Sequence, residues 1–394
     1  MCYAIPGKVV EINNNICKIE YFGIVKKVRN DFFDLKIGDY VYAQGGFVIQ
    51  KIPEEEARET LKVWEEFFDK LREVDLKLTY ESKELYKIAN KIRQEYHDNS
   101  CCVHGIIEFS NYCRNNCLYC GLRRDNKKIR RYRMEEEEII NLATYAVKKL
   151  NFKALVLQSG EDLFYDKERL AYIVKRIMEE SPCLLILSIG EREIAIYEQL
   201  YELGARGVLL RFETSNKKIY EKMRPGHKLE ERINLIKEVK KIGYLIMTGF
   251  LIGLPGEEER DILENLRLTY ELGAEMFSFG PFIPHPDTPL KDCQPPAEEL
   301  VLDTIAKARI LYPQSKILVT TAFQTLNKKD GLKKGLLAGA NSLMINLTPK
   351  EYATLYEIYP HRDGVGEDIN KKIKEIITLL QEIGRAPADI GLSL

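Results

Sequence analysis

Apolar and polar positions alternate with a period of two over VVEI (9–12), ICKIEY (16–21) and GIVKKV (23–28), punctuated by Gly7, Asn13 to Asn15, Gly38 and Gly45-Gly46. The pattern predicts five or so short strands between Met1 and about Ile52. A lone hairpin of that length cannot bury enough apolar surface, so the strands are expected to close into a small, OB-like β-barrel. From 54 to 74, EEEARETLKVWEEFFDKLREV changes to the 3.6-residue period of an amphipathic helix. Residues 75–82 read as a linker, and 82–96 (SKELYKIANKIRQEY) as a helix opening a larger unit. The chain thus divides into a small barrel with its helix (1–74), the linker (75–82) and a large domain (83–394).

Beyond residue 106 the rhythm changes, and apolar runs of strand length alternate with longer amphipathic segments. The runs are 106–110, 153–159, 184–188, 207–212, 244–251, 276–280, 316–321 and 342–346. Eight strands, each followed by a segment that can be helical, predict an α/β fold with parallel strands closed into a (β/α)8 barrel. An open doubly wound sheet satisfies the same pattern. No internal repeat or low-complexity stretch is present.

Composition narrows the function classes. The 394 residues are 45% apolar and 30% charged, and 59 Lys+Arg against 60 Asp+Glu leave a net charge of -1. That balance argues against a polybasic nucleic-acid or membrane binder. No apolar run reaches the ~18 residues of a membrane span, and MCYAIPGKVVEI lacks the basic-then-apolar pattern of a signal peptide. A cytoplasmic protein with no membrane or nucleic-acid partner is expected. Nine cysteines are too sparse for a disulfide scaffold, so their spacing carries the information.

Directly after the first strand of the large domain stands SNYCRNNCLYCGLRRDN, with Cys113, Cys117 and Cys120 spaced C-x3-C-x2-C. Three soft thiolates on one loop can face a common centre, which suits three irons of a cubane cluster. A structural zinc site wants four protein ligands, and no fourth Cys or His follows at finger spacing. Three ligands leave one iron open, at the strand end where barrel enzymes place their chemistry. Later strand ends add polar groups: Gln158-Ser159-Gly160-Glu161-Asp162, Ser188-Ile189-Gly190-Glu191, Arg211-Phe212-Glu213-Thr214 and Arg232. There Gly160 permits close backbone approach and Glu161 can accept from an ammonium group. Taken singly, each of these charges also fits a surface or helix-capping role.

The cysteine loop, with Tyr119 at its aromatic position, resembles the radical S-adenosylmethionine (SAM) superfamily. That resemblance implies one 4Fe-4S cluster whose open iron is chelated by SAM, and a reducing electron donor whose electron cleaves SAM to a 5'-deoxyadenosyl radical. Ser159-Gly160-Glu161 resembles the motif that meets the SAM amino group. From about 83 to 390 the chain resembles the HydE family, the radical SAM maturases of FeFe hydrogenase, through IIEFSNYCRNNCLYCGLRRDN, RRYRM, LQSGED, LRFETSN, GLPG, GPFIPHPDTPL and VTTA. GPFIPHPDTPL (280–290) is the most particular of these and separates the group from relatives such as biotin synthase.

The HydE resemblance implies cofactor contacts from Tyr119, Gln158, Ser159, Gly160, Glu161, Ser188 and Glu213, with Arg232 pairing with the SAM carboxylate, a bidentate task suited to guanidinium. It implies a small organometallic substrate, a cysteine-bound iron carrying CO and cyanide, in a pocket lined by Arg211, Thr320, Thr321 and Tyr356. Three departures stand out. The His of the family's R-H-E-T motif is Phe212, a pocket Arg is Gly207 with Arg206 adjacent, and the optional second-cluster region (359–372) has no cysteine. The first two favour the alternative of a mutase or lyase on an amino-acid-like substrate, as in the related PylB group.

MCYAIPGKVVEI and GDYVYAQGGFVIQKIPEEEARETL resemble the HypC family, small-barrel chaperones of NiFe hydrogenase maturation, over about residues 1–70. The resemblance implies that Cys2 holds an iron bearing CO and cyanide and that hydrogenase maturation proteins are partners. The usual late-strand His is Gln44. The fusion suggests that the small barrel presents an iron fragment to the radical barrel, its tether raising effective concentration to the ~mM range. A non-catalytic iron carrier is the reading from a different class. Cys17, Cys183 and Cys293 are expected to pack as small hydrophobes. The Cys101-Cys102 pair could be a redox or auxiliary metal pair, although a pair without other ligands is usually incidental.

Overall fold

The computed structural model describes residues 3–80 and 83–389, so Cys2 lies outside the described residues. After the two-residue strand β1 (Tyr3–Ala4), five strands close a small barrel in the order β2-β3-β4-β6-β5. They are β2 (Pro6–Asn13), β3 (Ile16–Tyr21), β4 (Ile24–Arg29), β5 (Tyr40–Gln44) and β6 (Phe47–Ile52). The period-two pattern is obeyed closely in β3, where Cys17, Ile19 and Tyr21 are buried and the residues between them are half-buried. Val9, Val28, Val41, Ala43 and Val48 complete that core.

Helix α1 (Glu54–Tyr80) begins with three glutamates, which suit the positive end of the helix dipole. It lays Phe68 and Leu71 on the small barrel's core. The helix does not stop at 74. The stretch expected as a linker is helical as far as Tyr80 because its buried stripe continues through polar residues, Asp75 and Thr79, whose partners come from elsewhere in the chain. Asp75 pairs with Arg93 of α2 (Glu84–His97) and, at 2.8 Å, with Arg385, while Asn90 donates to Asp75 at 3.0 Å. A buried carboxylate flanked by two guanidiniums satisfies the need of such groups for compensation.

The large domain is a closed barrel in which each strand is parallel to its neighbours. Its strands, with two short ones outside it, are β7 (Cys102–Ser110), β8 (Ala154–Ser159), β9 (Leu184–Ser188), β10 (Gly207–Leu209), β11 (Leu245–Thr248), β12 (Leu251–Ile252), β13 (Ala274–Phe277), β14 (Gly280–Pro281), β15 (Lys316–Val319) and β16 (Ser342–Asn346). β12 and β14 pair as a separate two-stranded sheet beyond the barrel rim. Closure through β16 and β7 settles the choice between barrel and open sheet. Four apolar runs outlast their strands, that at 276–280 passing Phe277 to reach β14. Past Leu209 the amides of Phe212 and Glu213 both turn to Gly249 O, past Thr248 the chain bends into β12, and Thr320 caps a helix at Thr321–Leu326.

The small barrel docks on the N-terminal ends of the large barrel's strands. Arg29 donates to Gly243 O at 3.0 Å and Arg206 pairs with Asp31 at 3.0 Å. Phe47 enters the barrel mouth and packs with Ala154, Val156, Leu184, Ile186, Leu245, Met247, Met276 and Leu318. β1 pairs with β17 (Ala388–Asp389), stitching the beginning of the described chain to its end. This arrangement differs from a loosely tethered module serving the radical site. The small barrel sits at the end opposite the strand C-termini, with an apolar layer between. It also fixes Arg206 at the domain interface, so that residue does not replace an arginine at 207. A Cβ on Gly207 would stand 2.7 Å from Ile186 Cγ1.

Candidate active site

The C-terminal strand ends surround a cavity of about 270 Å³. Cys113, Cys117 and Cys120 line it together on the loop after β7, all three half-buried and free of disulfides. The loop is held by its own backbone and by guanidinium groups. Arg131 donates to the carbonyls of Asn111, Leu122 (2.9 Å) and Arg123 (2.8 Å), and the Arg114 amide donates to Glu161 O at 3.1 Å. Burial raises all three thiols, that of Cys117 to about 11. Such thiols carry protons until a metal displaces them.

Gly160 is required here by space. A Cβ would lie 2.1 Å from Tyr112 O and 2.9 Å from Cys113 Cβ, so strand β8 and the cysteine loop meet only because 160 has no side chain. At Gly121 a Cβ would lie 2.1 Å from Glu357 O, since the segment around Tyr356, Ile358 and Tyr359 crosses the cavity there. That segment is anchored by the buried pair Arg362–Glu108, and Asn346 also donates to Glu108 at 3.0 Å.

Two carboxylates and two guanidiniums form the polar wall. Glu161 lies 3.7 Å from Arg224 and 3.8 Å from Arg232, and Glu191 lies 3.5 and 2.9 Å from the same two arginines. Arg224 is 2% exposed and its Nε has no hydrogen-bond partner among the described residues, as is also true of Ser159 Oγ. Opposite them Arg211 pairs with Glu213 at 2.8 Å. Glu213 has φ of 69°, a left-handed conformation costly for a residue with a side chain. It is held by its amide on Gly249 O (3.1 Å) and by Leu251 N donating to its carbonyl (2.9 Å).

Most of the expected site residues converge. Tyr119, Gln158, Ser159, Gly160, Glu161, Ser188, Arg211, Glu213, Arg232 and Tyr356 line the cavity with the cysteines. Thr320 and Thr321 do not line it. Thr320 accepts from Phe323 N as a helix cap, and Thr321 faces a smaller cavity with Gln324, Asn346 and Asp363. Phe212 is fully buried beside Phe250, which stacks on Phe279, so position 212 belongs to an apolar wall. Arg224 was not legible in the sequence: it ends a short helix before Pro225-Gly226, and only folding brings it to Glu161. Cys2 lies outside the described residues, and Gln44 is buried against Asp389 at 2.8 Å. Cys17 and Cys183 are buried, and Cys293 lies half-buried beside an apolar cluster.

A three-thiol loop opening on a cavity with paired carboxylates and guanidiniums fits an iron-sulfur cluster and a ligand bearing an amino-acid group. Such a ligand would offer a carboxylate to Arg224 and Arg232 and an ammonium to Glu161 and Glu191.

Comparison with known proteins agrees. Residues 107–269 match the Radical SAM superfamily, 1–64 the HupF/HypC family and 278–384 the Biotin and Thiamin Synthesis associated domain. The chain is 42% identical over 303 residues to the [FeFe] hydrogenase maturase subunit HydE of Thermotoga maritima, covering 77% of this chain and 86% of that protein. It is 30% identical to the 3-methylornithine synthase of Methanosarcina acetivorans, covering 78% and 86%. Among solved structures, methylornithine synthase (PylB) is similar with a TM-score of 0.67 at 26% identity, covering 82% of this chain and 97% of that one.

Proposed function

Because the chain belongs to the HydE family of radical SAM enzymes and begins with a HypC-family module, we propose that it uses one 4Fe-4S cluster and SAM to act on a cysteine-bound iron complex carrying CO and cyanide. The observation that carries the reading is the convergence of three thiols and the Glu161, Glu191, Arg224 and Arg232 group on one cavity. When bound, the cluster and SAM supply an electron and a 5'-deoxyadenosyl radical.

In this reading Cys113, Cys117 and Cys120 hold the cluster, and Arg232, with Arg224, takes the SAM carboxylate. Glu161 takes the ammonium, and Gly160 lets the cofactor approach the backbone. Glu213, Gln158, Ser159 and Ser188 line the remaining polar contact surface. Arg211 and Tyr356 orient an anionic substrate. Phe282, Ile283 and Ile358 exclude water from the cavity.

The protein works in the cytoplasm with hydrogenase maturation proteins and a reducing donor. That donor approaches the cysteine loop where Arg124, Lys127, Lys128, Arg130 and Arg133 stand exposed within an otherwise balanced chain. A second reading, radical rearrangement of an amino-acid-like substrate, is favoured by the apolar wall at Phe212 and by the likeness to 3-methylornithine synthase.

The test is 5'-deoxyadenosine formation by anaerobic, reduced, cluster-loaded protein with SAM, with and without a cysteine-bound iron dicarbonyl cyanide complex. Stimulation by the complex is expected. Cleavage that the complex leaves unchanged, but that an amino acid such as lysine stimulates, would transfer the assignment to the second reading.

A further inference from the structure

The short helix Lys217–Met223, which precedes Arg224, is fastened to the cysteine loop. Asn216 caps its start, accepting from Lys218 N at 3.1 Å and Ile219 N at 3.3 Å. At its end Met223 O accepts from the amide of Leu118, the residue between Cys117 and Tyr119, at 2.9 Å. Ile219 and Met223 are buried against Leu118, Tyr119 and Phe282. Within this turn Arg224 N donates to Tyr220 O at 2.8 Å, and the Arg224 guanidinium lies 5.5 Å from the Tyr220 ring centroid, inside cation–π range. The ring therefore supports the arginine that faces Glu161 and Glu191.

Packing explains the ring but not its hydroxyl. Tyr220 is 0% exposed, and the hydroxyl has no hydrogen-bond partner among the described residues. Tyr132, Tyr197 and Tyr244, buried in the same domain, each donate to a backbone carbonyl, at 2.6, 2.7 and 2.7 Å. A buried hydroxyl left unpaired is costly and uncommon. The charged groups that bear on the phenol are Arg224, Glu191, Glu213 and the Cys117 thiol, so its surroundings are the cysteine side of the cavity. Burial raises its pKa, which keeps the proton on the oxygen and leaves it a donor. In this structure Tyr119 is the hydroxyl that meets the Cys117 thiol.

Resting on the radical SAM reading above, we infer that Tyr220 is a positioning residue for the cluster, its hydroxyl kept to donate to a cluster sulfur on the Cys117 side. The acceptor arrives with the cluster, which is why the donor stands unpaired without it. Hydrogen bonds to the sulfurs are one of the means by which a protein sets a cluster's potential. A donor favours the reduced, more negative form, and so offsets the carboxylates of Glu161, Glu191 and Glu213 that oppose uptake of an electron. Because the same ring carries Arg224, one side chain ties the cluster to the carboxylate end of the cofactor.

The test is a potentiometric titration of the reconstituted full chain, followed by electron paramagnetic resonance of the reduced cluster without SAM. Tyr220→Phe keeps the ring and removes the hydroxyl. It should retain a full cluster by iron and sulfide analysis, yet lower the reduction equilibrium constant at least about threefold, a tenfold change corresponding to about 59 mV. SAM affinity, measured by equilibrium binding, should stay within about twofold. Tyr220→Leu removes the ring as well and should lower both the potential and SAM affinity, the latter about fivefold or more. In the cluster-free chain Tyr220→Phe should melt no lower than the unmutated protein, since no protein group loses a partner. An unchanged potential in a fully loaded Tyr220→Phe protein, or a lower melting temperature of that variant without the cluster, would overturn the inference alone. Failure of the unmutated chain to take up any 4Fe-4S cluster would overturn the radical SAM reading and this inference with it.

Discussion

Phe47 is where the two barrels meet most closely, and replacing it with alanine tests the docking directly. The ring is 2% exposed, sits among eight apolar residues of the large barrel's lower interior and has the Arg29 guanidinium 4.8 Å from its centroid. Phe→Ala at such a site removes the transfer energy of the ring and leaves a cavity that rigid strands cannot close, together costing about 3–5 kcal/mol. The chain has a single tryptophan, Trp64, which packs at a tilt against Phe67 and Phe68 where α1 covers the small barrel. Its fluorescence reports the small unit, whereas far-ultraviolet circular dichroism is dominated by the large one. With a urea m-value of about 1–1.5 kcal/mol/M for a unit of this size, the Trp64 midpoint of Phe47→Ala should fall by about 2–5 M. Phe47→Leu, which keeps most of the volume, should cost about 1 kcal/mol. A Trp64 midpoint moving by less than about 0.5 M in Phe47→Ala would refute the claim that this ring holds the domains together.

Other consequences follow from buried charge and from the surface. Burial raises the Glu257 carboxyl to about 7, with Gly253 N donating to it at 2.6 Å. Its folded pKa exceeds the unfolded one, so stability falls as pH rises from about 4.5 to about 7 and the penalty, at most about 3 kcal/mol, persists above. Glu257→Gln should therefore raise the melting temperature at pH 8 and change it little at pH 4.5; an equal shift at both values would show that titration is not responsible. Arg362→Met strands the Glu108 carboxylate in the interior and should cost about 3–5 kcal/mol by urea denaturation, whereas adding Glu108→Leu should recover much of that loss. A double variant no better than the single would contradict the pairing argument. Arg124→Glu with Lys127→Glu should slow cluster reduction by an acidic donor severalfold at low salt and lose its effect near 1 M salt, where screening acts within about 3 Å. An effect independent of salt would remove charge steering as its cause.

The barrel strands and the cysteine loop could be read from the sequence because both depend on local regularities. A buried parallel strand must be apolar along its length, and three ligands for one centre must be close in the chain if a short loop is to hold them. The runs at 184–188 and 342–346 coincide with β9 and β16 for that reason. Readings failed where a residue's meaning depends on a distant partner. Asp75 looks like a break in a helix, yet Arg93 and Arg385 make it a core residue. The family resemblance put Thr320 and Thr321 at the substrate pocket, whereas the strand stops at Val319, Thr320 caps the helix that begins at Thr321, and neither is among the residues lining the cavity around the cysteines.

What the sequence determined by itself, then, was periodicity, the ligand loop and the two-module composition, all set by interactions among near neighbours and by the chain's own pattern of burial. The tertiary structure decided which end of the barrel receives the small module and that Phe47 plugs it. It also brought Arg224 to Glu161 and Glu191, and joined Cys102 and His104 to Gln44 and Asp389. Those contacts link residues far apart in sequence, and their free energy comes from desolvating groups whose compensation exists only once the chain has closed on itself.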